Sequence, residues 1–292
     1  MTANQPPDGT EECTDELFGG GGEPSPQTAR GDYKSRMRQL TQTIETELIP
    51  RLLLAFGPAT PEPRSNDDDS DDGLPFTADV DSFVRVLLSG SVDAAVSIIA
   101  ELRSHGFRLQ RIYLELLAPA AQELGRMWED DEVNFTDVTV GVTRLHRVLH
   151  VYSHSFCVHE GHGRHAALKA LILPVPGEQH IFGQLMVIEF FRRAGWTVWS
   201  AAPTSVEELG SIVTKQTFDI VGISISSERH LDVLGDAMDI VRQRSSNPGV
   251  RIMLGGSLLS ENPHRADEFG ADGTAGNGQQ AVARAFELVE VS

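Results

Sequence analysis

Cysteine is nearly absent from this 292-residue chain, which holds only Cys13 and Cys157. Two such residues make neither a disulfide framework nor a zinc ribbon, and a reducing compartment suits them. Basic charge is also scarce: 24 Lys and Arg against 42 Asp and Glu leave a formal charge of -18. Each neutralised phosphate of a nucleic acid takes a Lys or Arg, so strong direct DNA binding is not expected. No apolar run approaches the roughly 18 residues of a membrane span. The N-terminus, "MTANQPPDGTEECTDELFGGGGEPSPQ", lacks the basic-then-apolar order of a signal peptide. The expectation is a cytoplasmic protein with no membrane association.

What remains is 40% hydrophobic, enough for a core in each of two domains. Residues 1–31 are rich in Gly, Pro, Glu and Asp and read as a disordered tail. Residues 32–56 read as a helix, with Met37, Leu40, Ile44, Leu48 and Leu52 at three- and four-residue steps. Met37 also permits an alternative start. Residues 57–78, with "NDDDSDD" among prolines, read as an acidic linker. From 79 to 160 the pattern is helical throughout, over 79–89, 91–105, 108–128 and 135–158, which predicts a four-helix bundle. Ala118, Ala120, Ala121 and Gly125 invite close approach to the helix that ends at Trp128.

Residues 161–292 alternate short apolar strands with helices over 180–194, 205–216, 229–246, 262–269 and 278–290. Strands apolar on both faces and joined by helices predict a five-stranded parallel sheet, so the fold class is a bundle followed by a Rossmann-like (flavodoxin-like) domain. Such sheets bind ligands beyond the carboxyl ends of their strands. That edge carries His180, Ser224, Ser226, Gly255, Gly256 and Gly276. The first turn, "PVPGEQHIFG", has neither a Walker pattern nor GxGxxG, which disfavours a dinucleotide. It offers instead an imidazole, His180, with a carboxylate, Glu178, two positions before it, a pairing suited to a metal ligand. A helix-capping histidine or a general base would fit the same residues.

"EQHIFG" resembles the DxHxxG motif of cobalamin-binding domains, with Glu178 in place of the aspartate and His180 and Gly183 matching. Ser224 and Ser226 in "GISIS" are similar to that family's SxL or SxT segment, and Gly255-Gly256 in "MLGGSLL" to its GG segment. The resemblance spans about residues 80–290. It implies that His180 binds the lower face of cobalt, that Gly183, Gly255 and Gly256 let the nucleotide tail pass and that Ser224 hydrogen-bonds its base; Glu178, Ser226 and Gly276, on the same edge, are further cofactor-binding candidates. It also implies that Trp128, at the end of "LGRMW", lies over the corrin. Where the light-sensing repressors of the family carry Glu-His after this Trp, Val138 and Thr139 stand here. That points away from an adenosyl pocket and toward a smaller or protein-derived upper ligand, with His146 or His150 as candidates. His146, His150 and His154 recur every fourth residue, and six of ten histidines crowd between His146 and His165 beside Cys157. A separate zinc or copper site is one reading of that crowd; linker composition is the plainer one.

Within the family the acidic extension, the altered segment after Trp128 and Glu178 are closest to the AerR/PpaA antirepressors. That resemblance implies a light- or redox-responsive regulator, not an enzyme, which acts on a PpsR/CrtJ-type transcription factor and binds cobalamin in its adenosyl, methyl or hydroxo form. The length excludes a substrate barrel of roughly 250 residues beside these domains. Haem on His180, a corrinoid methyl carrier serving a separate methyltransferase, and a fold that has lost its ligand are the alternatives.

Overall fold

The computed structural model describes residues 78–157, 168–178, 180–261 and 264–290. The expected tail, N-terminal helix and acidic linker, and the junction with His159, His162 and His165, lie outside these residues.

The first described region is helical. Asp79 caps α1 (Val80–Ser89) by accepting the Asp81 N–H, and Ser91 caps α2 (Val92–Ser104) by accepting that of Ala94. The third helix is not continuous. It runs as α3 (Leu109–Ile112), a π-helical turn (Tyr113–Leu117) and α4 (Ala118–Glu129). Pro119 explains the interruption: it has no N–H for the Glu115 carbonyl, and the Ala118 N–H reaches back to Tyr113 O instead. The Asn134 side chain accepts the Asp137 N–H at 2.9 Å and starts α5 (Phe135–Cys157). Phe83, Leu87, Ile99, Leu116, Leu124, Leu145 and Tyr152 meet in one core, so the four expected helical segments do form a bundle. Gly141 lets α5 cross closely, since a Cβ there would stand 3.2 Å from Leu124 and 3.3 Å from Leu88. Gly125 is different: nothing lies within 4 Å of a Cβ placed there, so no close approach occurs within the described chain.

The second region is a parallel sheet of β1 (Lys169–Pro174), β2 (Thr197–Ser200), β3 (Ile220–Ser224), β4 (Arg251–Gly255) and β5 (Gly273–Thr274), in the order β2-β1-β3-β4-β5. Between them run α6 (Phe182–Arg193), α7 (Val206–Lys215), a 3-10 turn (Glu228–His230) leading into α8 (Leu231–Arg244), and α11 (Gly278–Glu290) after β5. Of the helix expected over 262–269, α10 (Arg265–Glu268) forms among the described residues, and a short helix that was not expected, α9 (Ser257–Glu261), precedes it directly after β4. Strand order reverses between β1 and β3, so the loops leaving those strands diverge and open a crevice at their carboxyl ends.

The two regions share α6. Met186 and Phe190 on this helix belong to the bundle core. Tyr113 stacks on Phe156 at 4.2 Å, and Phe190 meets both rings edge-on. Ser153 donates to Glu189 Oε2 at 2.6 Å, and Arg193 to the Phe156 carbonyl at 2.8 Å. The helix that follows the crevice loop is thereby held by both halves.

Candidate functional site

The crevice loop begins where β1 ends. Val175 N–H bonds the Ser224 carbonyl and Glu178 N–H bonds the Val175 carbonyl, both at 2.9 Å, which closes a turn over Gly177. Gly177 has φ of 88°, a left-handed conformation that a side chain disfavours. This turn sends Glu178 inward and His180 outward: the Glu178 side chain is 0% exposed and that of His180 67%.

The two are joined through one carboxylate oxygen. Glu178 Oε1 accepts the His180 N–H at 3.1 Å and pairs with His180 Nδ1 at 2.8 Å. An ionised carboxylate only accepts, so Nδ1 carries the proton and the lone pair lies on Nε2. Burial works against the charge of Glu178. The hydrogen bond from the His180 ring, with the backbone N–H groups of Ser226 and His180, outweighs it and holds the carboxyl well below the usual range. The result is an exposed imidazole locked in one tautomer by a buried anion, the arrangement found behind metal-bound histidines.

Beside this pair, β3 ends on Ser224, between Pro174 of β1 and Gly255 of β4. Its Oγ is buried and bonds nothing among the described residues. Buried hydroxyls are seldom left so, which marks a place for a hydrogen-bonding ligand group. Ser226 contributes its backbone N–H to Glu178 Oε2 at 2.9 Å. Gly183 is exposed in the first turn of α6, with open space where a Cβ would stand. Gly255 leaves 3.6 Å from its missing Cβ to the Ala275 carbonyl, and Gly276 donates its N–H to Gln280 Oε1 at 3.1 Å. Gly256 is required by the chain itself: its φ is 107°, and a Cβ there would run into the Ile225 carbonyl.

On the bundle side, Trp128 is half-buried at the end of α4, edge-on to Phe135 at 6.0 Å. Arg126 braces the following turn by bonding Glu123, Asp130 and Glu132. His146 is buried, and both ring nitrogens bond nothing among the described residues. Burial lowers its pKa to about 4. Its ring lies 5.4 Å from that of Phe182, two positions beyond His180, so it faces the start of α6. Thr139 Oγ1, two turns earlier on α5, is also buried without a partner among the described residues, and Val138 beside it is half-buried. His150 and His154 are exposed. Cys157 lies 3.5 Å from Glu189 Oε2, and burial, with that carboxylate, pushes its thiol up to about 12. Among the described residues no cluster of three or more His, Cys, Asp or Glu could hold a metal ion.

Two residues that sequence reasoning passed over belong to the site. Gln184 is buried after Gly183, donating to the Ile172 carbonyl at 3.0 Å while its Oε1 has no partner among the described residues. His230 sits with Nδ1 3.4 Å from Glu178 Oε2. Its only sequence signal was its place in the loop after β3, on the ligand edge. The residues present fit a corrinoid: an oriented imidazole for the metal, and an unpartnered hydroxyl deeper in the sheet edge for the tail.

Comparison with known proteins gives two domain matches, each described as a B12 binding domain, over residues 80–151 and 168–286. The chain is 25% identical over 189 residues to a Rhodobacter capsulatus protein named "Uncharacterized 20.5 kDa protein in bchF-crtJ intergenic region", covering 65% of this chain and 97% of that one. It is 27% identical over 116 residues to dimethylamine corrinoid protein 3 of Methanosarcina acetivorans, covering 39% of this chain and 54% of the relative. Among solved structures, the monomethylamine corrinoid protein of Methanosarcina barkeri superposes with a TM-score of 0.60 at 18% identity, over 73% of this chain and 98% of that one. No described helix is long and apolar enough to cross a membrane.

Proposed function

The chain belongs to the family of B12-binding proteins, and we propose on that premise that it is a cobalamin-dependent sensor that regulates transcription by binding a repressor of the PpsR/CrtJ type. The observation that carries the cofactor reading is the Glu178–His180 pair, at 2.8 Å, beside the unpartnered Ser224 hydroxyl. A bound corrinoid would supply a cobalt centre whose upper ligand exchanges with light or redox state. His180 would hold the lower face through Nε2, and Ser224, Ser226, Gly183, Gly255, Gly256 and Gly276 would accommodate the tail. Haem has no such tail, so it leaves the Ser224 hydroxyl without a purpose. Trp128 and α5 would cover the upper face. His146 is the favoured protein-derived upper ligand: with a pKa of about 4 it is neutral at ordinary pH, and both its nitrogens lack partners among the described residues. His150, exposed on the same helix, is the weaker candidate.

The regulatory half of the reading is supported by the R. capsulatus relative, whose name places it beside crtJ. A net charge of -18 suits encounter with a basic DNA-binding partner in the cytoplasm. In this reading the chain turns over no substrate. Its output is a difference in partner affinity between two ligand states, the only lever by which a ligand shifts a protein equilibrium. The second reading, a methyl carrier for a separate methyltransferase, is favoured by the likeness to the dimethylamine corrinoid protein.

Absorption spectra of the chain mixed with adenosyl-, methyl- or hydroxocobalamin, or with haemin, in dark and light, test the cofactor. Corrin bands retained by the wild type and lost by His180→Ala are expected; bands with haemin alone overturn the reading. Capture of a helix-turn-helix repressor, dependent on illumination, is the expected partner result. Capture of a methyltransferase would replace the sensor reading with the carrier one.

A further inference from the structure

Glu178 is shared between two histidines. Oε1 serves His180 through both ring and backbone, while Oε2 takes the Ser226 N–H at 2.9 Å and His230 Nδ1 at 3.4 Å. His230 ends the 3-10 turn between β3 and α8, with its side chain 12% exposed. On its far side, Nε2 accepts the Arg229 Nε–H at 3.2 Å. A guanidinium can only donate, so Nε2 of His230 holds the lone pair and its Nδ1 carries the proton facing Glu178. Gly177, with its φ of 88°, turns the chain beside this ring, and a Cβ there would stand 3.8 Å from His230 Nε2, an ordinary contact distance. A single carboxylate thereby joins His180 on its own loop to the loop after β3.

We propose that His230 is a positioning residue for the axial ligand, holding the far oxygen of Glu178 so that the near one fixes the tautomer and direction of His180. The chain of contacts runs Arg229, His230, Glu178, His180. Without the second imidazole, Oε2 keeps only the Ser226 N–H, and the carboxylate is free to tilt about the axis set by the two backbone N–H groups that remain. His180 then shares its proton between Nδ1 and Nε2, and the fraction presenting a lone pair at Nε2 falls. The inference rests on the reading of His180 as cobalt ligand, yet its first consequence belongs to the cofactor-free chain.

The test uses His230→Phe, which keeps the ring's bulk without its donor, and His230→Asn, whose amide replaces the Nδ1 donor. Imidazole 15N shifts of the full cofactor-free chain report the His180 tautomer, with the amide spectrum confirming the fold. The expected result is a Nδ1–H tautomer in the wild type, a mixed population in His230→Phe and recovery in His230→Asn. Hydroxocobalamin titration followed by absorbance should show about ten-fold weaker binding for His230→Phe, the size of effect seen when a partner behind a metal ligand is removed. An unchanged His180 tautomer in His230→Phe overturns the proposal, and so does a loss that His230→Asn fails to restore. A wild type that takes up no corrinoid sinks the axial-ligand reading, while the tautomer measurement still decides what His230 does to Glu178.

Discussion

At the scale of single residues, the site is defined by polar atoms whose partners are missing. Ser224 Oγ bonds nothing among the described residues, so Ser224→Ala removes a desolvated hydroxyl from the free protein and a hydrogen bond from the loaded one. Urea unfolding should show the free variant more stable by about 1 kcal/mol. Cobalamin titration should show it binding about five-fold more weakly. The opposite signs separate a ligand-binding hydroxyl from a merely structural one. His146 gives a pH dependence. Its ring takes up a proton near 6.5 in the unfolded chain but only near 4 in the fold. As pH falls through that window the unfolded state holds the extra proton, so stability is whole above 6.5 and declines toward 4. The loss should reach about 2 kcal/mol at pH 5. His146→Leu should flatten this slope in urea titrations at pH 7 and 5, and an unchanged slope would assign the acid sensitivity elsewhere.

At the scale of elements, the turns decide what the strands can present. β4 ends at Gly255, and Gly256 turns the chain where its φ of 107° and the Ile225 carbonyl leave no room for a Cβ. Gly256→Ala should destabilise the fold by about 3 kcal/mol, measured by denaturant midpoint, and should do so without any cofactor. That outcome distinguishes Gly256 from Gly183, where a Cβ meets open space and Gly183→Ala should leave the free protein within about 0.5 kcal/mol while weakening corrinoid uptake. β1, β3 and β4 were legible as apolar runs bounded by turn residues. β5 was legible only through its neighbours, since two residues, Gly273 and Thr274, carry no periodicity. The π turn at Tyr113–Leu117 was not legible, because Pro119 reads equally well as a helix start.

At the scale of the whole molecule, α6 ties the His180 loop to the bundle. Phe190 lies in the bundle core on one side, and on the other a Cβ at Gly278 of α11 would stand 2.5 Å from its ring. Phe190→Ala should cost about 3–5 kcal/mol. Calorimetry should then resolve two transitions where the wild type shows one, because the aromatic contact joining the halves is lost. Persistence of one transition would mean that Ser153, Glu189 and Arg193 suffice to couple them.

The sequence by itself determined the order of helices and strands, the parallel sheet and the ligand edge, because apolar periodicity and turn residues are local signals. It also determined the Glu178–His180 pair, whose members stand two positions apart. Only the tertiary structure decided that His230, 52 positions from Glu178, shares the same carboxylate. It alone separated His146, buried against Phe182, from His150, exposed one turn later on the same helix. Burial and hydrogen bonding between distant loops depend on how sheet and bundle pack, and no spacing along the chain encodes that packing directly.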